Sequence, residues 1–296
     1  MFEKIKANIL FNALLKRPDI EKAYAMVPET DSWYDTISKV HKSLEEIKTY
    51  PHEVLEIKSH DDLTLRGIYY PNDSNSNNNV TVICVHGYTS HAEREWAFPG
   101  LFYKSLGFNV LIPYQRAHGI SEGKYITFGA YEHIDLINWV NKINNINPNT
   151  KIIIHGLSMG GGIVLDFSDK KLNNVKCLIC DAPSTSINSF FKNVANEVFK
   201  SKGDLVYKHA VRKFNITFRA NILDYESINY VKNSKYPILL SAGSEEHMED
   251  RLNEIKKANP NDTEIIILPG CNHGNGMYKQ TKMYQDKIIE FINKYL

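Results

Sequence analysis

One serine stands in a pattern that favours nucleophilic chemistry. Residues 156–160 read Gly-Leu-Ser-Met-Gly, which places Ser158 between two glycines. The apolar run at residues 152–155 predicts a buried strand before this serine, and residues 161–165 predict the start of a helix after it. A serine on such a sharp strand-to-helix turn needs glycine neighbours, because larger side chains would collide with the turn. We therefore predict that Ser158 attacks an acyl carbon from a turn that lifts its hydroxyl clear of a sheet.

A histidine base is required next, because a serine hydroxyl does not lose its proton unaided. In parallel sheets that carry this turn, the acid and then the histidine follow the serine along the chain. Of the 11 histidines, His247 and His273 satisfy that order. His273 lies in a loop that directly follows the last predicted strand, and the glycines at 270 and 274 give that loop the freedom to swing the ring towards the serine. We predict His273 as the base and expect His247 to lie beside the acid.

The acid that orients the base has several candidates. Glu245, Glu246 and Asp250 follow a late predicted strand, and Asp181 ends the predicted strand before it. A carboxylate at either strand end could reach His273. Each exposed candidate could instead be a solvated residue at the start of a helix, where acidic side chains are favourable. Residue type and position alone leave the choice open.

Two backbone amides are candidates for stabilising the negative oxygen of a tetrahedral intermediate. Met159 follows the serine directly and supplies the first amide. Residues 85–88 read Val-His-Gly-Tyr and end an earlier predicted strand, and Gly87 permits a tight turn that would aim the Tyr88 amide at the same place. The sequence therefore predicts an oxyanion hole formed by Tyr88 and Met159, with the Tyr88 side chain lining the pocket.

The elements that must hold these residues alternate between short apolar runs and helical stretches. From residue 53 onwards this alternation predicts a mostly parallel sheet with helices on both faces. An opening hairpin is expected at residues 53–59 and 64–70, and buried strands are expected at residues 80–85, 109–113, 151–155, 175–180, 237–242 and 264–268. We therefore predict an α/β domain with an eight-stranded sheet over residues 53–296.

Two segments fall outside this alternation. Residues 184–235 hold phenylalanines at helical spacing and are too long for a simple crossover, which predicts a helical insertion. Residues 1–52 predict a helical segment that packs on the body of the protein. Its apolar residues are interrupted by lysines well short of a membrane span, so neither a span nor a signal peptide is expected. Contact of this helix with a membrane surface is the less favoured alternative.

Composition narrows the class of partner. The chain has 35 Lys and Arg against 34 Asp and Glu, a net charge of +1, so no overall field attracts nucleic acid and a small molecule is the expected partner. All four cysteines lie in or beside apolar runs, including Cys177 and Cys180, whose CxxC spacing falls on a predicted strand and therefore indicates buried thiols. A reducing, cytoplasmic location is expected. Neither a metal nor a cofactor is predicted.

The motifs at residues 85–88 and 156–160, followed by His273, resemble the α/β-hydrolase superfamily over about residues 53–296. Residues 107–124 resemble a bacterial branch of esterases and lysophospholipase-like hydrolases. This resemblance implies an α/β-hydrolase fold in which residues 184–235 form a helical cap. Members commonly carry Gly-x-x-Asp after the seventh strand, and Glu246 takes the acid position here, so the resemblance favours Glu246 as the acid.

The same resemblance implies roles for residues near the pocket. Phe190 and Phe191 of the cap would contribute to an apolar wall that binds the acyl group. Tyr114 stands where relatives usually have aspartate, so the loop that follows it is expected to differ locally. Arg116 and His118 are expected to brace this loop.

The expected activity is that of a serine hydrolase that cleaves small carboxylic esters through an acyl-enzyme intermediate. A peptidase or a thioesterase would use the same serine, histidine and acid, so both stay open as alternatives. A ligand-binding protein of the same fold without catalytic activity is a further alternative. Such a protein would usually lack the nucleophile or the base, whereas Ser158 and His273 are both present.

Overall fold

The central element of the fold is an eight-stranded sheet. The computed structural model describes residues 2–19, 33–72, 79–259 and 262–296. The strands are β1 (Glu53–Lys58), β2 (Thr64–Tyr70), β3 (Val80–Val85), β4 (Asn109–Pro113), β5 (Lys151–Leu157), β6 (Val175–Asp181), β7 (Ile238–Gly243) and β8 (Thr263–Leu268). They lie in the order β1-β2-β4-β3-β5-β6-β7-β8. Only β2 runs antiparallel to its neighbours, β1 and β4, so the prediction of a mostly parallel eight-stranded sheet is confirmed.

Helices cover both faces of this sheet. They are α1 (Phe2–Leu15), α2 (Ile37–Ile47), α3 (Ala92–Ser105), α4 (Glu132–Ile146), α5 (Met159–Phe167), α6 (Ile187–Phe199), α7 (Gly203–Phe218), α8 (Ser227–Val231), α9 (Glu249–Ala258), α10 (Gly276–Lys279) and α11 (Thr281–Asn293). Helices α4, α5 and α9 pack on one face, and α2, α3 and α11 pack on the other. Burial on both faces explains why the central strands read as continuous apolar runs.

Strand β3 contributes side chains to the hydrophobic cores on both faces of the sheet. All six of its residues are buried. Because successive side chains of a strand point to opposite faces, Ile83 joins the core under α4 and α5, whereas Val82 joins the core under α3 and α11. Burial on both faces makes the strand a rigid support for the residues at its carboxyl end.

Three strands end later than the sequence indicates. The apolar runs predict that β5, β6 and β7 end at residues 155, 180 and 242, whereas the strands reach Leu157, Asp181 and Gly243. Leu157 and Asp181 are paired in the parallel ladder. The strands therefore continue to the residue before Ser158, and the turn that carries the serine starts from hydrogen-bonded backbone.

A helical insertion, α6 to α8, joins β6 to β7. Helix α1 packs beside α7 within the same layer. The rings of Phe11 and Phe218 stack with centroids 5.9 Å apart, and the ammonium of Lys213 lies 4.3 Å from the centre of the Phe11 ring. Residues near the start of α1 lie near the start of α7, so the two helices run parallel.

The four cysteines are free and buried. Cys177 and Cys180 are three positions apart on β6 and face the two different cores, so the strand itself holds their thiols apart. Within the described residues, no helix combines the length and the apolar character needed to cross a bilayer.

Candidate active site

Ser158 occupies a strained turn between β5 and α5. Its backbone has φ 57° and ψ −117°, a conformation that residues other than glycine rarely adopt. A Cβ atom at Gly156 would lie 2.3 Å from the Gly160 carbonyl oxygen, and one at Gly160 would lie 2.0 Å from the Val85 carbonyl oxygen. Only glycine fits at these two positions, which is the physical reason for the Gly-x-Ser-x-Gly spacing. The turn is held by a 2.8 Å hydrogen bond from the Ser158 amide to the Asp181 carbonyl.

Three side chains form a continuous chain of hydrogen bonds. His273 Nε2 lies 2.8 Å from Ser158 Oγ, and His273 Nδ1 lies 2.5 Å from Glu246 Oε2. The other oxygen of Glu246 accepts a 2.8 Å hydrogen bond from the Gly243 amide. A carboxylate on Nδ1 favours the tautomer with its proton there, which leaves Nε2 free to accept the serine proton. The three residues come from the ends of β5, β7 and β8.

Glu246 also controls the charge of the histidine. The hydrogen bond from His273 to this carboxylate raises the pKa of His273 above its ordinary value, because the imidazolium is stabilised by the negative charge. The Glu246 side chain is 8% exposed, whereas that of His273 is 56% exposed. The carboxylate is therefore shielded by protein while the imidazole edge stays open to a substrate.

The structure brings one of the four candidate acids to the histidine. Asp181 is buried, accepts a 3.0 Å hydrogen bond from the Ser241 hydroxyl, and has its pKa raised to about 6 by burial. Glu245 is exposed and accepts from the Ser244 hydroxyl, and Asp250 is exposed in the first turn of α9. His247 is exposed with a left-handed backbone, φ 53°, directly after Glu246.

Two backbone amides close to the serine in the fold have no hydrogen-bond acceptor within the described residues. A Cβ atom on Gly87 would lie 3.3 Å from Ser158 Cβ, so the loop after β3 passes directly against the nucleophilic turn. The next residue, Tyr88, and the first residue of α5, Met159, present amides that donate no hydrogen bond to any group within the described residues. Unpaired amides at such a site can receive a negatively charged oxygen.

His86 holds the Tyr88 loop in place. It is fully buried and contacts the Gly87 carbonyl through Nδ1 at 2.8 Å, while its Nε2 accepts a 3.0 Å hydrogen bond from the Gln115 amide. Burial holds the pKa of His86 well below its usual value, so the ring is neutral with its proton on Nδ1. The ring of His118 packs edge-on against it, with centroids 4.6 Å apart. Sequence reasoning did not assign this supporting role to His86 or Gln115.

Glu95 is a third supporting residue that the sequence did not reveal. This side chain from the first turn of α3 accepts a 2.8 Å hydrogen bond from the Gly87 amide, and burial raises its pKa to about 7. Its charge also contributes to the raised pKa of His273. Glu95 therefore fixes the loop before Tyr88 and places a titratable carboxylate near the imidazole.

The loop after β4 is anchored by an ion-pair cluster. Arg116 is 2% exposed and forms a two-point contact with Asp135, at 2.7 and 2.9 Å, and further hydrogen bonds to Asp61. Tyr114 at the start of this loop donates a 2.8 Å hydrogen bond to Glu93. The guanidinium is thus fully engaged within the protein.

An aromatic cluster lies beside the Tyr88 loop. The rings of Tyr88 and Phe128 have centroids 4.8 Å apart, and those of Phe128 and Phe190 are 5.1 Å apart. Phe191 does not belong to this cluster, which corrects its assignment to the pocket. It has no exposed surface and packs on Phe214 inside the helical insertion, because its neighbour Phe190 takes the side of α6 that faces the sheet domain.

The N-terminal segment contributes to the same region through two contacts. The hydroxyl of Tyr88 donates a 2.8 Å hydrogen bond to the Leu14 carbonyl at the end of α1. The indole nitrogen of Trp33 donates a 3.0 Å hydrogen bond to the His273 carbonyl, and a Cβ atom on Gly274 would lie 3.2 Å from the Trp33 ring. Within the described residues, no group of three or more His, Cys, Asp or Glu side chains is arranged to hold a metal ion.

Solved structures share this architecture. The Pyrococcus furiosus esterase Pf2001 superposes with a TM-score of 0.67 at 23% sequence identity, covering 85% of this chain and 93% of that protein. An alpha-beta hydrolase from Vibrio vulnificus gives a TM-score of 0.64 at 20% identity, covering 96% and 92%. A proline iminopeptidase from Mycobacterium smegmatis gives 0.60 at 11% identity, covering 82% and 98%. At these identities the likeness establishes the fold.

Sequence relatives match parts of the chain. The uncharacterized protein YqkD of Bacillus subtilis is 41% identical over 81 residues, which cover 27% of this chain and 26% of YqkD. Protein bem46 of Schizosaccharomyces pombe is 22% identical over 199 residues, covering 67% of this chain and 61% of bem46. The chain therefore spans about a quarter and about three fifths of these two relatives.

The family model that matches covers the Tyr88 loop, the serine turn and most of the helical insertion. It extends over residues 76–230, just over half of the chain, and describes the Hydrolase_4 family, serine aminopeptidase, S33. With the eight-stranded sheet and the strained serine turn, this match makes the chain a member of the Hydrolase_4 family within the α/β-hydrolase superfamily.

Proposed function

We propose that this protein is a serine hydrolase that cleaves carboxylic esters through an acyl-enzyme intermediate. The observation that carries the proposal is the hydrogen-bonded sequence Glu246, His273 and Ser158, which ends at a strained turn beside two unpaired amides. A hydroxyl, a base with its tautomer set by a carboxylate, and donors for an oxyanion are the groups that acyl transfer needs.

In the first step, Ser158 Oγ forms a bond to the carbonyl carbon of the ester while His273 Nε2 takes the hydroxyl proton. The electron pair of the carbonyl double bond moves to the oxygen, which accepts hydrogen bonds from the amides of Tyr88 and Met159. Collapse of this intermediate breaks the bond to the leaving alkoxide, which receives its proton from His273. The products are the free alcohol and the Ser158 acyl ester.

In the second step, water takes the place of the alcohol. His273 accepts a proton from the water as its oxygen attacks the acyl carbon. The same two amides stabilise the new oxyanion. Its collapse breaks the bond between the acyl carbon and Ser158 Oγ, the carboxylic acid leaves, and His273 returns the proton to Ser158 Oγ. The exposed edge of His273 gives water access to this position, since the side chain is 56% exposed.

The aromatic cluster favours an apolar acyl group. Tyr88, Phe128 and Phe190 lie side by side, Tyr88 belongs to the loop that passes against the serine turn, and the helical insertion supplies Phe190. We propose that this insertion acts as a cap and that an acyl chain packs against these rings. An esterase among the structural neighbours supports the choice of an ester.

A peptidase is the second candidate, because the matching family is described as a serine aminopeptidase and a proline iminopeptidase shares the fold. An aminopeptidase would need a carboxylate near the serine to bind the substrate ammonium, and Glu95 is the carboxylate beside the Tyr88 loop. One oxygen of Glu95 already accepts the hydrogen bond from Gly87, so this carboxylate is less available to bind an ammonium group. This favours an ester as the substrate.

The test combines labelling with turnover. The purified chain is treated with a fluorophosphonate and analysed by intact mass, with Ser158→Ala as the control. Turnover of p-nitrophenyl butyrate is then compared with that of alanine and proline p-nitroanilides. The proposal expects one label that Ser158→Ala abolishes and faster cleavage of the ester. Retained labelling in Ser158→Ala would reject Ser158 as the nucleophile, and preference for an anilide with a free amine would select the aminopeptidase.

A further inference from the structure

The outer side of α1 carries apolar residues that nothing in the described structure covers. Its inner face, with Leu10, Phe11 and Leu14, is buried in the core. On the opposite side of the helix, Phe2 is 77% exposed and Ile9 is 58% exposed. Large exposed apolar side chains in a row are unfavourable in water, so they indicate a surface that contacts something apolar.

Helix α7 presents a second stripe parallel to the first. Residues 205, 208, 212, 216 and 219 follow the spacing of one helix face, and all five are exposed. They are Leu205, Lys208, Arg212, Ile216 and Arg219. The stripe therefore combines two apolar and three basic side chains, and it contains no acidic residue.

The two stripes belong to one layer of the protein. Lys213 of α7 packs over the Phe11 ring of α1, and Phe11 stacks on Phe218, so the helices are side by side along their length. We call the exposed residues Phe2, Ile5, Ile9, Leu205, Lys208, Arg212, Ile216 and Arg219 the α1/α7 surface.

Charge identifies the chemistry of what could cover this surface. Residues 2–19 and 187–219, which form α1, α6, α7 and their ends, contain eleven Lys and Arg but four Asp and Glu, a net charge of +7. The whole chain has a net charge of +1, so the remaining residues are net acidic. A basic, apolar surface complements a bilayer of anionic phospholipid, which offers negative headgroups above acyl chains.

We infer that the α1/α7 surface binds the face of an anionic phospholipid membrane. The 14 residues of α1 span about 21 Å, too short to cross the bilayer, so the helix lies in the plane of the interface. Phe2, Ile5 and Ile9 insert among the upper acyl carbons, while the lysines and arginines bind phosphate. The inner side of this same layer carries Phe190 and the Leu14 carbonyl that binds Tyr88, so docking places the candidate pocket next to lipid.

Vesicle co-flotation tests this inference without any catalytic readout. The chain of residues 1–296 is mixed with vesicles of phosphatidylcholine and phosphatidylglycerol in a 3:1 ratio, or of phosphatidylcholine alone, at about 0.05 M and about 0.5 M salt, where screening lengths differ severalfold. Binding is expected to be stronger to the anionic vesicles by about tenfold or more, and to weaken at the higher salt.

Variants separate the apolar and the basic contributions. Combined Phe2→Ser, Ile5→Ser and Ile9→Ser changes are expected to lower partitioning into anionic vesicles by about tenfold or more. Combined Lys208→Glu and Arg212→Glu changes should abolish the preference for anionic lipid. The matched control replaces Val54 and Ile146, which are 53% and 43% exposed elsewhere, with serine and should bind as the parent does.

Two further measurements keep the outcome unambiguous. Circular dichroism and the thermal unfolding midpoint verify that each variant is folded, and analytical ultracentrifugation gives the oligomeric state without vesicles. Equal binding by the triple serine variant and the parent would overturn the inference. A second result would also overturn the inference: the parent is dimeric and binds no vesicles, whereas the triple serine variant is monomeric. In that case the surface would join two copies of the chain. Because the assay needs no turnover, failure of vesicle binding leaves the proposed hydrolase activity untouched, and the reverse also holds.

Discussion

The indole of Trp33 donates a 3.0 Å hydrogen bond to the backbone carbonyl of His273, although the two residues are 240 positions apart in the chain. The ring also packs at 5.3 Å from Tyr278 and against the position where a Gly274 side chain would be. Trp33 thus fixes the loop that carries the imidazole from outside the sheet domain.

We expect Trp33→Phe to lower kcat by about two- to tenfold with little change in KM, because one neutral hydrogen bond to the His273 loop is lost while the aromatic packing remains. Stopped-flow or steady-state hydrolysis of p-nitrophenyl butyrate measures this effect. Trp33→Ala, which also removes the packing on Tyr278, should lose more activity and stability. Unchanged kcat in both variants would show that the loop is held without the indole.

Loss of either partner in the proton transfer should be severe. Ser158→Ala and His273→Ala are each expected to lower ester turnover by about 10⁶, because members of such a triad act as a unit. The matched control is His247→Ala, an exposed histidine of the neighbouring loop, which should retain most of the rate. If His247→Ala were the more damaging change, a different histidine would be the base.

The identity of the acid is tested by two neighbouring carboxylates. Glu246→Gln preserves volume but removes the charge that faces His273 Nδ1, and we expect a loss of about 10⁴ in kcat. Glu245→Gln, one residue earlier and exposed, should change kcat by less than about twofold. If Asp181→Asn lost most of its kcat while Glu246→Gln kept near-normal turnover, the buried Asp181 would be the acid of the triad instead.

The acid limb of the pH profile should lie above the ordinary histidine pKa of 6.5, since His273 must be neutral to act as base and its pKa is raised. Activity is then lost as the pH falls through the raised pKa. Ionised Glu95 contributes to that shift, so Glu95→Gln should move the acid limb of kcat/KM to lower pH while an amide oxygen still accepts from Gly87. Because Glu95 itself has a pKa of about 7, the parent's limb reports both groups together.

The control for this pH experiment is Glu93→Gln, two residues away on the same helix, where the carboxylate binds Tyr70 and Tyr114 instead. Its acid limb should coincide with that of the parent. A limb that stays in place in Glu95→Gln would mean that the Glu95 charge does not reach the imidazole.

The sequence predicts the sheet well because its strands are buried on both faces and therefore read as uninterrupted apolar runs. It also predicts the serine turn, because glycine is required wherever a Cβ atom would meet backbone, as at Gly156 and Gly160. Both features leave a signal within a short stretch of sequence, even where the contact is distant, as between Gly160 and Val85.

Features that depend on contacts between residues far apart in the chain could not be predicted from the sequence. Helical spacing places Phe190 and Phe191 on α6 but does not say which faces the sheet domain and which the centre of the insertion. Glu95 and Trp33 carry no motif, and their importance arises from hydrogen bonds to Gly87 and His273 that only folding creates. The choice of Glu246 among four acids required the family spacing and, in the structure, the position of the His273 ring.

The contacts of the N-terminal segment determine where the chain can be shortened without disturbing the candidate active site. Arg17 donates hydrogen bonds to the carbonyls of Ser121 and Gly119, Leu14 accepts one from Tyr88, and Trp33 holds the His273 loop. A shortened version that starts at the first strand would therefore keep every residue of the proposed triad and lose the outside supports on both sides of it. The piece that should be transferred together in domain transplantation is therefore the sheet domain with its leading helices.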